Sequence, residues 1–384
     1  MEKHSGVHRR WCRLVAVVLL WPVSASAQAS SASEALALQQ QGKLAEAAQA
    51  WQAVIQKNPN DAGAFASLGV IFSTEHRYPE AASAYRKAIA LDPKLPGVQL
   101  NLGLAEFKQG HFQQAVAPLS AVLSADPDNL QAQTLLGLSN YGAKRFAEAV
   151  TYLAPVAKSD PSNTGLHDLL AQSCLWAKQY SCAQDEFRKI LEQNPDSAAA
   201  HILLGEALDG LGRTSEAIAE FQQAAKASPP DPNLHFGLGY LYWKSQRYDQ
   251  AKREFETELT IDPNHAQSLA YLGDIAMKTA HPDQALALLR KAVGLKDDTR
   301  IAYLDLGAVL AQRKQYPDAI TALQRAEQLD STEPDAHYRL GQVYRAMGNL
   351  PAAQKEFAKV SELHQKADES LVSKMPAAPS ALPQ

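Results

Sequence analysis

The sequence repeats its pattern every 34 residues, and this period constrains the fold more than any other feature. Ten rows of 34 residues run from Gln28 to Ala367 without an insertion or a deletion. Alanine occupies the twentieth column of every row, and the eighth column holds glycine in eight rows and alanine in two. Leucine fills the seventh column in nine rows, and proline closes the first seven rows at column thirty-two. Such a period indicates a repeat protein rather than a few globular domains.

Apolar residues within a row recur at steps of three and four, which predicts two helices per row. The second row has Phe65, Leu68 and Phe72 in one half and Ala81 and Tyr85 in the other. This is helix spacing, not the alternation of a strand. Small residues at columns eight and twenty predict that the two helices cross closely, with a large side chain of column twenty-four beside the crossing. The closing prolines end the second helix.

These columns resemble the signature of the tetratricopeptide repeat family, which has Leu-Gly, Ala, an aromatic residue and a closing Pro at these spacings. The resemblance covers residues 28–367, all ten rows. It implies an all-α fold, a right-handed superhelical solenoid of about ten helix-turn-helix hairpins, with a groove lined by the first helix of each hairpin. One hairpin cannot bury its apolar side alone, so neighbouring copies bury it for one another.

The first 27 residues have the pattern of a signal peptide. Three arginines precede the apolar run Leu14 to Val23, and small residues follow up to Ala27. A run of about ten residues is too short for a bilayer span, which needs about twenty. We therefore expect cleavage after Ala27, export across the inner membrane to the periplasm, and no transmembrane segment in the mature chain. Residues 368–384 predict a short capping extension and a disordered tail rich in Pro and Ala.

Charge and motifs argue against nucleic-acid binding and catalysis. The net charge is -4, and without residues 1–27 the chain has 33 basic and 40 acidic residues. This balance does not favour a phosphate-binding surface. The sequence contains no HExxH, GxSxG, CxxC or glycine-rich phosphate loop, so it predicts no catalytic, cofactor-binding or metal-binding residue.

Several polar residues nevertheless interrupt the pattern. Glu106, Asn140 and Glu258 replace apolar or small residues and are the best candidates for an acid or base of unusual pKa, although local packing is the favoured explanation. Histidine recurs at column four in rows five, six, seven and ten: His167, His201, His235 and His337. A metal-binding ladder is one hypothesis for these histidines. Ordinary packing is favoured, because helical rows stack about 8–10 Å apart, whereas a zinc ion lies about 2 Å from each imidazole ligand.

Cys174 and Cys182 are the only cysteines beyond the predicted signal peptide. An even count in an oxidising compartment favours a disulfide between the two helices of row five. However, Cys174 stands at a column that should face the core, and Cys182 at one that should lean outward. The sequence therefore leaves open whether their Cα atoms come within the roughly 7 Å that a bridge needs.

The resemblance places columns two, five, nine, twelve and thirteen of the first helices on the wall of the groove. In rows three to seven these columns are rich in apolar and aromatic side chains. The predicted partner-binding residues are Leu104, Phe107, Tyr141, Leu175, Trp176, Phe236, Tyr240 and Trp243. We expect this wall to hold an extended or helical segment of a protein partner, with tryptophan and tyrosine as anchors. Packing between rows is the competing explanation for these side chains.

The sequence thus predicts a non-catalytic protein-interaction scaffold. The resemblance suggests an adaptor in an export, pilus or polysaccharide-secretion assembly of a bacterial-type cell envelope. Carbohydrate recognition is the alternative hypothesis, with Trp176, Tyr240 and Trp243 stacking on sugar rings. No cofactor and no nucleic-acid partner is expected.

Overall fold

The computed structural model describes residues 31–228, 231, 233–296 and 298–374, with side chains up to residue 369. In these residues all regular structure is α-helical, and each of the ten rows contains two helices. The all-α helical-hairpin repeat expected from the sequence is therefore confirmed. The predicted signal peptide and residues 375–384 of the predicted tail lie outside the described residues.

Contacts divide the chain into two compact units, residues 1–139 and 140–384. The helices that begin in the first unit are α1 (Ala32–Gln40), α2 (Leu44–Lys57), α3 (Ala62–Thr74), α4 (Tyr78–Leu91), α5 (Val98–Lys108), α6 (Phe112–Ala125) and α7 (Leu130–Gly142). Those of the second unit are α8 (Phe146–Ser159), α9 (Thr164–Trp176), α10 (Tyr180–Gln193), α11 (Ala198–Gly210), α12 (Thr214–Ala227), α13 (Leu234–Lys244), α14 (Tyr248–Ile261), α15 (Ala266–Lys278), α16 (Pro282–Leu295), α17 (Arg300–Gln312), α18 (Tyr316–Leu329), α19 (Asp335–Ala346) and α20 (Leu350–Lys374). Odd-numbered helices are the first helix of a row.

Glycine at column eight makes room for the column-twenty-four side chain of the same hairpin. A Cβ atom added to Gly205 would lie 2.6 Å from the ring of Phe221, and one added to Gly239 would lie 2.8 Å from the ring of Phe255. The backbone oxygen of Ala217, at column twenty, is also close, at 3.3 Å from the Gly205 position. The close crossing thus exists, and the large column-twenty-four side chain is the nearest group that excludes a Cβ atom.

The turn inside each hairpin places a left-handed residue at column fifteen in all ten rows. Glycine holds this position in four rows, for example Gly212 with φ of 74°. The other six rows have residues with a Cβ atom there, including Lys144 at 58° and Ala280 at 61°. Because left-handed backbone costs such a residue about 1–2 kcal/mol, these six turns are strained.

Ala280→Gly should therefore raise the free energy of unfolding by about 0.5–1 kcal/mol, since glycine adopts this φ without the Cβ clash. Urea denaturation of the two proteins measures the difference. Gly212→Ala, at the same column, is the matched control and should lose a similar amount. A variant Ala280→Gly no more stable than the wild type would contradict the assignment of strain to this column.

Cys174 and Cys182 join the two helices of row five, α9 and α10. Their Sγ atoms are bonded at 1.94 Å and their Cα atoms are 5.8 Å apart. Cys174 is fully buried and Cys182 is partly buried. Cys182 of column nineteen thus bonds to Cys174 of column eleven. The structure contains the disulfide that the sequence analysis left open.

The column-four histidines contact glutamates that stand nineteen residues later, on the second helix of the same hairpin. The distances from histidine Nδ1 to glutamate Oε2 are 2.5 Å for His167–Glu186, 2.6 Å for His201–Glu220, 2.8 Å for His235–Glu254 and 2.7 Å for His337–Glu356. Each pair ties two helices of a hairpin together, which goes beyond the packing role favoured from the sequence. Within the described ranges, no cluster of His, Cys, Asp and Glu side chains suits a metal ion.

The last helix, α20, continues past Ala367 to Lys374. The predicted boundary between the repeats and the capping extension therefore falls inside a helix. Across the part of the chain that the structure describes, no helix has both the length and the apolar character needed to cross a bilayer.

Candidate functional site

Four aromatic rings on the first helices of rows seven and eight form one cluster in the second unit. Phe236, Tyr240 and Trp243 lie on α13, and Tyr271 lies on α15. The ring centroids of Tyr240 and Trp243 are 5.9 Å apart, and Trp243 meets Tyr271 edge to face at 4.9 Å. Phe236 lies 5.9 Å from the same Tyr271 ring. The structure thus brings three predicted residues together, and we call these four rings the aromatic cluster.

Tyr271 is a member of the cluster that the groove columns do not include, because it stands at column six. Burial raises the pKa of its phenol to about 12, with smaller contributions from Tyr240 and nearby carboxylates. The hydroxyl therefore stays neutral across the physiological pH range. Its ring packs against those of Phe236, Tyr240, Trp243 and Phe255, and the residue stays partly exposed.

An apolar cavity of about 340 Å³ lies on one side of the aromatic cluster, between α11 and α13. Its lining residues are Ile202, Glu206, Asp209, Phe221, Asn233, Leu234, Phe236, Gly237, Tyr240 and Leu241. Glu206 is an acid of this cavity that is exposed to solvent on one side, and desolvation of its carboxyl group raises its pKa. Asp209 at the edge is paired with Lys244, at 2.8 Å. The cavity suits an apolar side chain with a polar group near its rim.

Glu258 holds the start of α13, the helix that carries most of the aromatic cluster. Its carboxylate accepts hydrogen bonds from the backbone N–H groups of Asn233 at 3.0 Å and Phe236 at 3.1 Å. Only 1% of Glu258 is exposed. The helix start has no side-chain cap of its own, because Asn233 adopts a left-handed conformation. A carboxylate from α14 therefore satisfies the free N–H groups and the positive end of the helix dipole. This is a structural role and not the acid–base role considered from the sequence.

Glu258→Ala should lower the free energy of unfolding by about 1–3 kcal/mol, because two buried N–H groups lose their acceptor. Urea denaturation measures the loss. Glu256→Ala, two residues earlier on an exposed face of α14, is the matched control and should have little effect. Equal stability of the two variants would show that Glu258 does not anchor α13.

A second cavity, of about 510 Å³, lies on the other side of the aromatic cluster, along the first helices of rows eight, nine and ten. Its lining residues are Trp243, Gln267, Tyr271, Asp274, Lys278, Asp298, Thr299, Arg300, Ile301, Leu304, Asp305, Asp335 and Arg339. We call it the charged pocket. It contains three basic and four acidic side chains. Trp243 and Tyr271 belong both to this pocket and to the aromatic cluster.

Most charges in this pocket are paired. Asp274 is ion-paired with Lys278 and accepts the indole N–H of Trp243 at 2.5 Å. Arg300 is ion-paired with Asp335. These contacts fix the positions of the aromatic wall and of two basic groups.

Asp305 is an acid of this pocket that has no close basic partner in the described residues. Only 3% of it is exposed, and Arg339 Nη2 is a distant partner at 3.5 Å from Oδ1. Oδ2 accepts no hydrogen bond from a donor in the described residues. Burial, and next the charge of Asp274, raise the pKa of Asp305 to about 7. A buried carboxylate with so little compensation is unstable in its charged form.

The remaining predicted residues of the second unit form a separate group on α7 and α9. The Tyr141 hydroxyl donates to Gln172 Oε1 at 2.6 Å. Phe146 contacts both Tyr141, at 5.8 Å, and Trp176, at 6.3 Å. Trp176 is 56% exposed, whereas Leu175 is a core residue with 6% exposed. The ring of Trp176 is therefore accessible to a partner, whereas the side chain of Leu175 packs in the core.

Leu104 and Phe107 are partly buried residues of α5 in the first unit. Phe107 packs against Phe112 at a ring distance of 5.7 Å. Their neighbour Glu106 is buried and ion-paired with Arg86, and its Oε2 lies 3.1 Å from His111 Nδ1. Glu106 is thus held by two basic side chains rather than directed to solvent.

The chain belongs to the tetratricopeptide repeat family. Models described as tetratricopeptide repeats match residues 33–96, 100–164, 140–207, 177–238, 210–259, 242–309 and 334–366, and one described as a TPR repeat matches residues 309–348. Together they cover nearly all ten rows, so the chain is a repeat scaffold for protein interactions. No curated protein matches the chain.

Solved structures share the fold at low sequence identity. Cut9, in the APC/C hetero-tetramer Cut9–Hcn1, is 14% identical with a TM-score of 0.52, over 86% of this chain and 80% of that one. Yeast Tom70 is 14% identical with a TM-score of 0.43, over 88% of this chain and 92% of that one. YrrB, described as a TPR protein with an unusual peptide-binding site, is 24% identical with a TM-score of 0.38, over 49% and 97%. Of these three, Cut9 has a TM-score above 0.5, and at this identity it supports the fold alone.

Proposed function

We propose that the protein is a non-catalytic adaptor that binds a segment of a partner protein on the first helices of rows six to ten. The observation that carries this proposal is the succession of apolar cavity, aromatic cluster and charged pocket. The cavity and the cluster share Phe236 and Tyr240, and the cluster and the pocket share Trp243 and Tyr271. An extended or helical segment can therefore place apolar and charged side chains along one surface.

Tyrosine and tryptophan are suited to anchor such a segment, because each combines a large apolar ring with a hydrogen-bonding group. Tyr240 is partly buried between Trp243 and Tyr271, so its ring is already oriented. Little side-chain entropy is then lost when a partner binds. The sequence assigned this role to Phe236, Tyr240 and Trp243, and their clustering supports it.

We test the proposal by co-purification from native cells with the wild-type chain and with Tyr240→Ala. The variant should weaken retention of the partner by about tenfold or more, as expected for an aromatic anchor. Leu350→Ala removes an exposed apolar side chain from α20 and is the control that should retain the partner. Equal recovery by all three proteins would count against this surface.

We further propose that the adaptor works in the periplasm of a bacterial-type envelope after removal of residues 1–27. The arginines, apolar run and small residues of the leader support export. The bonded Cys174–Cys182 pair supports an oxidising compartment, where disulfides persist. Mass spectrometry of the envelope fraction should find a chain beginning at Gln28, and an unprocessed chain in the cytoplasmic fraction would refute this location.

Carbohydrate recognition is the second candidate, favoured by the exposure of the Trp176 ring and by the partly accessible Tyr240 and Trp243. Aromatic faces of this kind also suit sugar rings. A triple replacement of these residues by alanine would then abolish retention of glycans, measured on immobilised envelope polysaccharide, while protein partners stay bound. Loss of the protein partner without an effect on glycans would favour the first proposal.

A further inference from the structure

The floor of the charged pocket contains an acceptor that no group of the described chain satisfies. Among the described residues, Asp305 Oδ2 is buried without a hydrogen-bond donor, and the basic group paired with Asp305, Arg339, is 3.5 Å from the other oxygen. A buried carboxylate normally has a close cation or several N–H donors. The carboxyl group is therefore either protonated or awaits a cation from outside.

The charges around Asp305 leave room for one more cation. Lys278 on α15 is bound to Asp274, and Arg300 on α17 is bound to Asp335 on α19. The fourth acid, Asp298, lies at the exposed end of the pocket beside Lys296, at 3.4 Å. Each of the other three acids of the pocket therefore has a closer basic partner than Asp305, whose partner Arg339 lies 3.5 Å away.

The walls of the pocket also suit a cation. Trp243 and Tyr271 present aromatic rings, and Lys278 Nζ already lies 5.5 Å from the centre of the Trp243 ring. Aromatic faces attract ammonium and guanidinium groups through their quadrupole. A carboxylate floor and aromatic walls together form a site for a flat or tapered cationic side chain.

Two other polar atoms of this pocket are buried without a hydrogen-bond partner in the described part of the chain, Thr299 Oγ1 and Arg300 Nε. Arg300 Nε is a donor, so it can form a hydrogen bond to an acceptor such as a peptide carbonyl group. Thr299 Oγ1 can bond to either a peptide N–H or a carbonyl group. These atoms favour a polypeptide over a free amine or a metal ion as the source of the cation.

We propose that the charged pocket binds the guanidinium or ammonium group of an arginine or lysine in the partner segment, with Asp305 as its counter-ion. This inference rests on the proposed function and specifies what the bound segment must carry. In the free protein below about pH 7, the Asp305 carboxyl holds a proton, because burial and the charge of Asp274 raise its pKa. Entry of the cation displaces that proton, which leaves to solvent, and the ionised Asp305 then pairs with the bound group.

The proton exchange fixes the sign of the pH dependence. Because the pKa of Asp305 is about 7, the free carboxyl is mostly protonated at pH 5.5 and mostly ionised at pH 8. Cation binding should therefore be about tenfold or more tighter at pH 8 than at pH 5.5. The other charged groups that line the pocket are Asp274, Lys278, Asp298, Arg300, Asp335 and Arg339, beside the phenol of Tyr271.

The test uses the full mature chain with ¹⁵N-labelled tryptophan and follows the indole N–H signals by NMR. The probes are N-acetyl-arginine N-methylamide and its neutral isostere, the capped citrulline. Capped arginine should shift the Trp243 signal with at least about tenfold higher affinity than capped citrulline at pH 8. The signals of Trp51 and Trp176 serve as internal references, since both residues lie outside the charged pocket.

Asp305→Asn keeps the shape of the side chain and should reduce arginine binding to the level of citrulline at both pH values. Asp283→Asn removes one exposed acid of the same unit outside the pocket and should leave the preference intact. Equal binding of the two probes, or an unchanged preference in Asp305→Asn, would overturn the proposal. Stronger binding of N-acetyl-glutamate N-methylamide would overturn it in favour of an anion site.

This result is separable from the proposed function. If Tyr240→Ala loses the partner while the probes show no arginine preference, the adaptor surface stands and the cation site is wrong. If the arginine preference is found but Tyr240→Ala retains the partner, the pocket binds cations and the adaptor surface lies elsewhere. The melting temperature of Asp305→Asn confirms that this variant is folded before it is used.

Discussion

Asp305→Asn should be more stable than the wild-type protein at pH 8, by up to about 4 kcal/mol, and of similar stability at pH 4. The pKa of Asp305 is about 7 in the folded chain and 3.8 in the absence of its surroundings. Between pH 3.8 and about pH 7, this carboxyl is therefore protonated in the folded state and ionised in the unfolded state. Each pH unit in this window removes about 1.36 kcal/mol of stability, and asparagine has no such loss.

Urea denaturation of both proteins between pH 4 and pH 8 measures this difference. Because repeat arrays need not unfold in one step, hydrogen exchange of α17 should be followed in parallel. The advantage of the variant should grow as the pH rises towards 7 and then stay constant. Asp283→Asn, which removes an exposed carboxylate outside the charged pocket, is the control. A gain for Asp305→Asn that is the same at every pH would contradict the raised pKa.

Gly205→Leu should lower the free energy of unfolding by about 3 kcal/mol, because the added side chain overpacks the hairpin crossing of row six. The ring of Phe221 fills the space beside Gly205 and also beside Gly237 on the next hairpin, where a Cβ atom would lie 2.4 Å from it. The ring is thus confined on both sides. Leucine is the appropriate test, since Ala171 at the same column of row five shows that a single methyl group can be fitted.

Gly294→Leu is the matched control for this prediction. Gly294 is also helical, but no heavy atom lies within 4 Å of its Cβ position. Leucine there should be neutral or should stabilise the protein by up to about 1 kcal/mol through its higher helix propensity. The double variant Gly205→Leu, Phe221→Ala should recover part of the lost stability. Similar behaviour of Gly205→Leu and Gly294→Leu in urea denaturation would show that column eight is not a close crossing.

The hairpin repeat could be predicted from the sequence because the same steric requirement acts in every row. The rings of Phe221 and Phe255 leave no space for a side chain at Gly205 and Gly239. The same steric constraint in every row keeps one column of the sequence small. The left-handed turn at column fifteen is less visible in the sequence, because glycine occupies this column in four of the ten rows. Lys144 and Ala280 occupy it with a Cβ atom, because the rest of the hairpin enforces the conformation at a cost of about 1–2 kcal/mol.

One pairing was visible in the sequence but was not used. Column four is histidine in the four rows in which column twenty-three is glutamate, as in His201 and Glu220, and in no other row. Joint occurrence of a donor and an acceptor at two fixed columns indicates a contact inside the hairpin. The structure has these contacts. Packing alone does not explain why the two residue types occur together.

The candidate site was predicted only in part. Phe236, Tyr240 and Trp243 stand at the columns that family resemblance assigns to the groove wall, and the structure clusters them. The charged pocket was missed because its central residues stand at column six. Tyr271, Asp305 and Arg339 occupy that column in three successive rows, where the earlier rows have smaller or uncharged residues. A change of chemistry at one column over consecutive rows is the signal that could have located it.

Site-specific photo-crosslinking tests the central claim most directly. Benzoylphenylalanine is introduced at Ile202 or Tyr240, beside the apolar cavity, and at Gln223 or Arg290, on exposed faces of α12 and α16, in chains expressed in their native cells. The account predicts that both first-helix positions crosslink the same partner protein, through a segment that carries an arginine or lysine, and that the second-helix positions do not. Crosslinking of that partner at Gln223 or Arg290 with equal yield would contradict it.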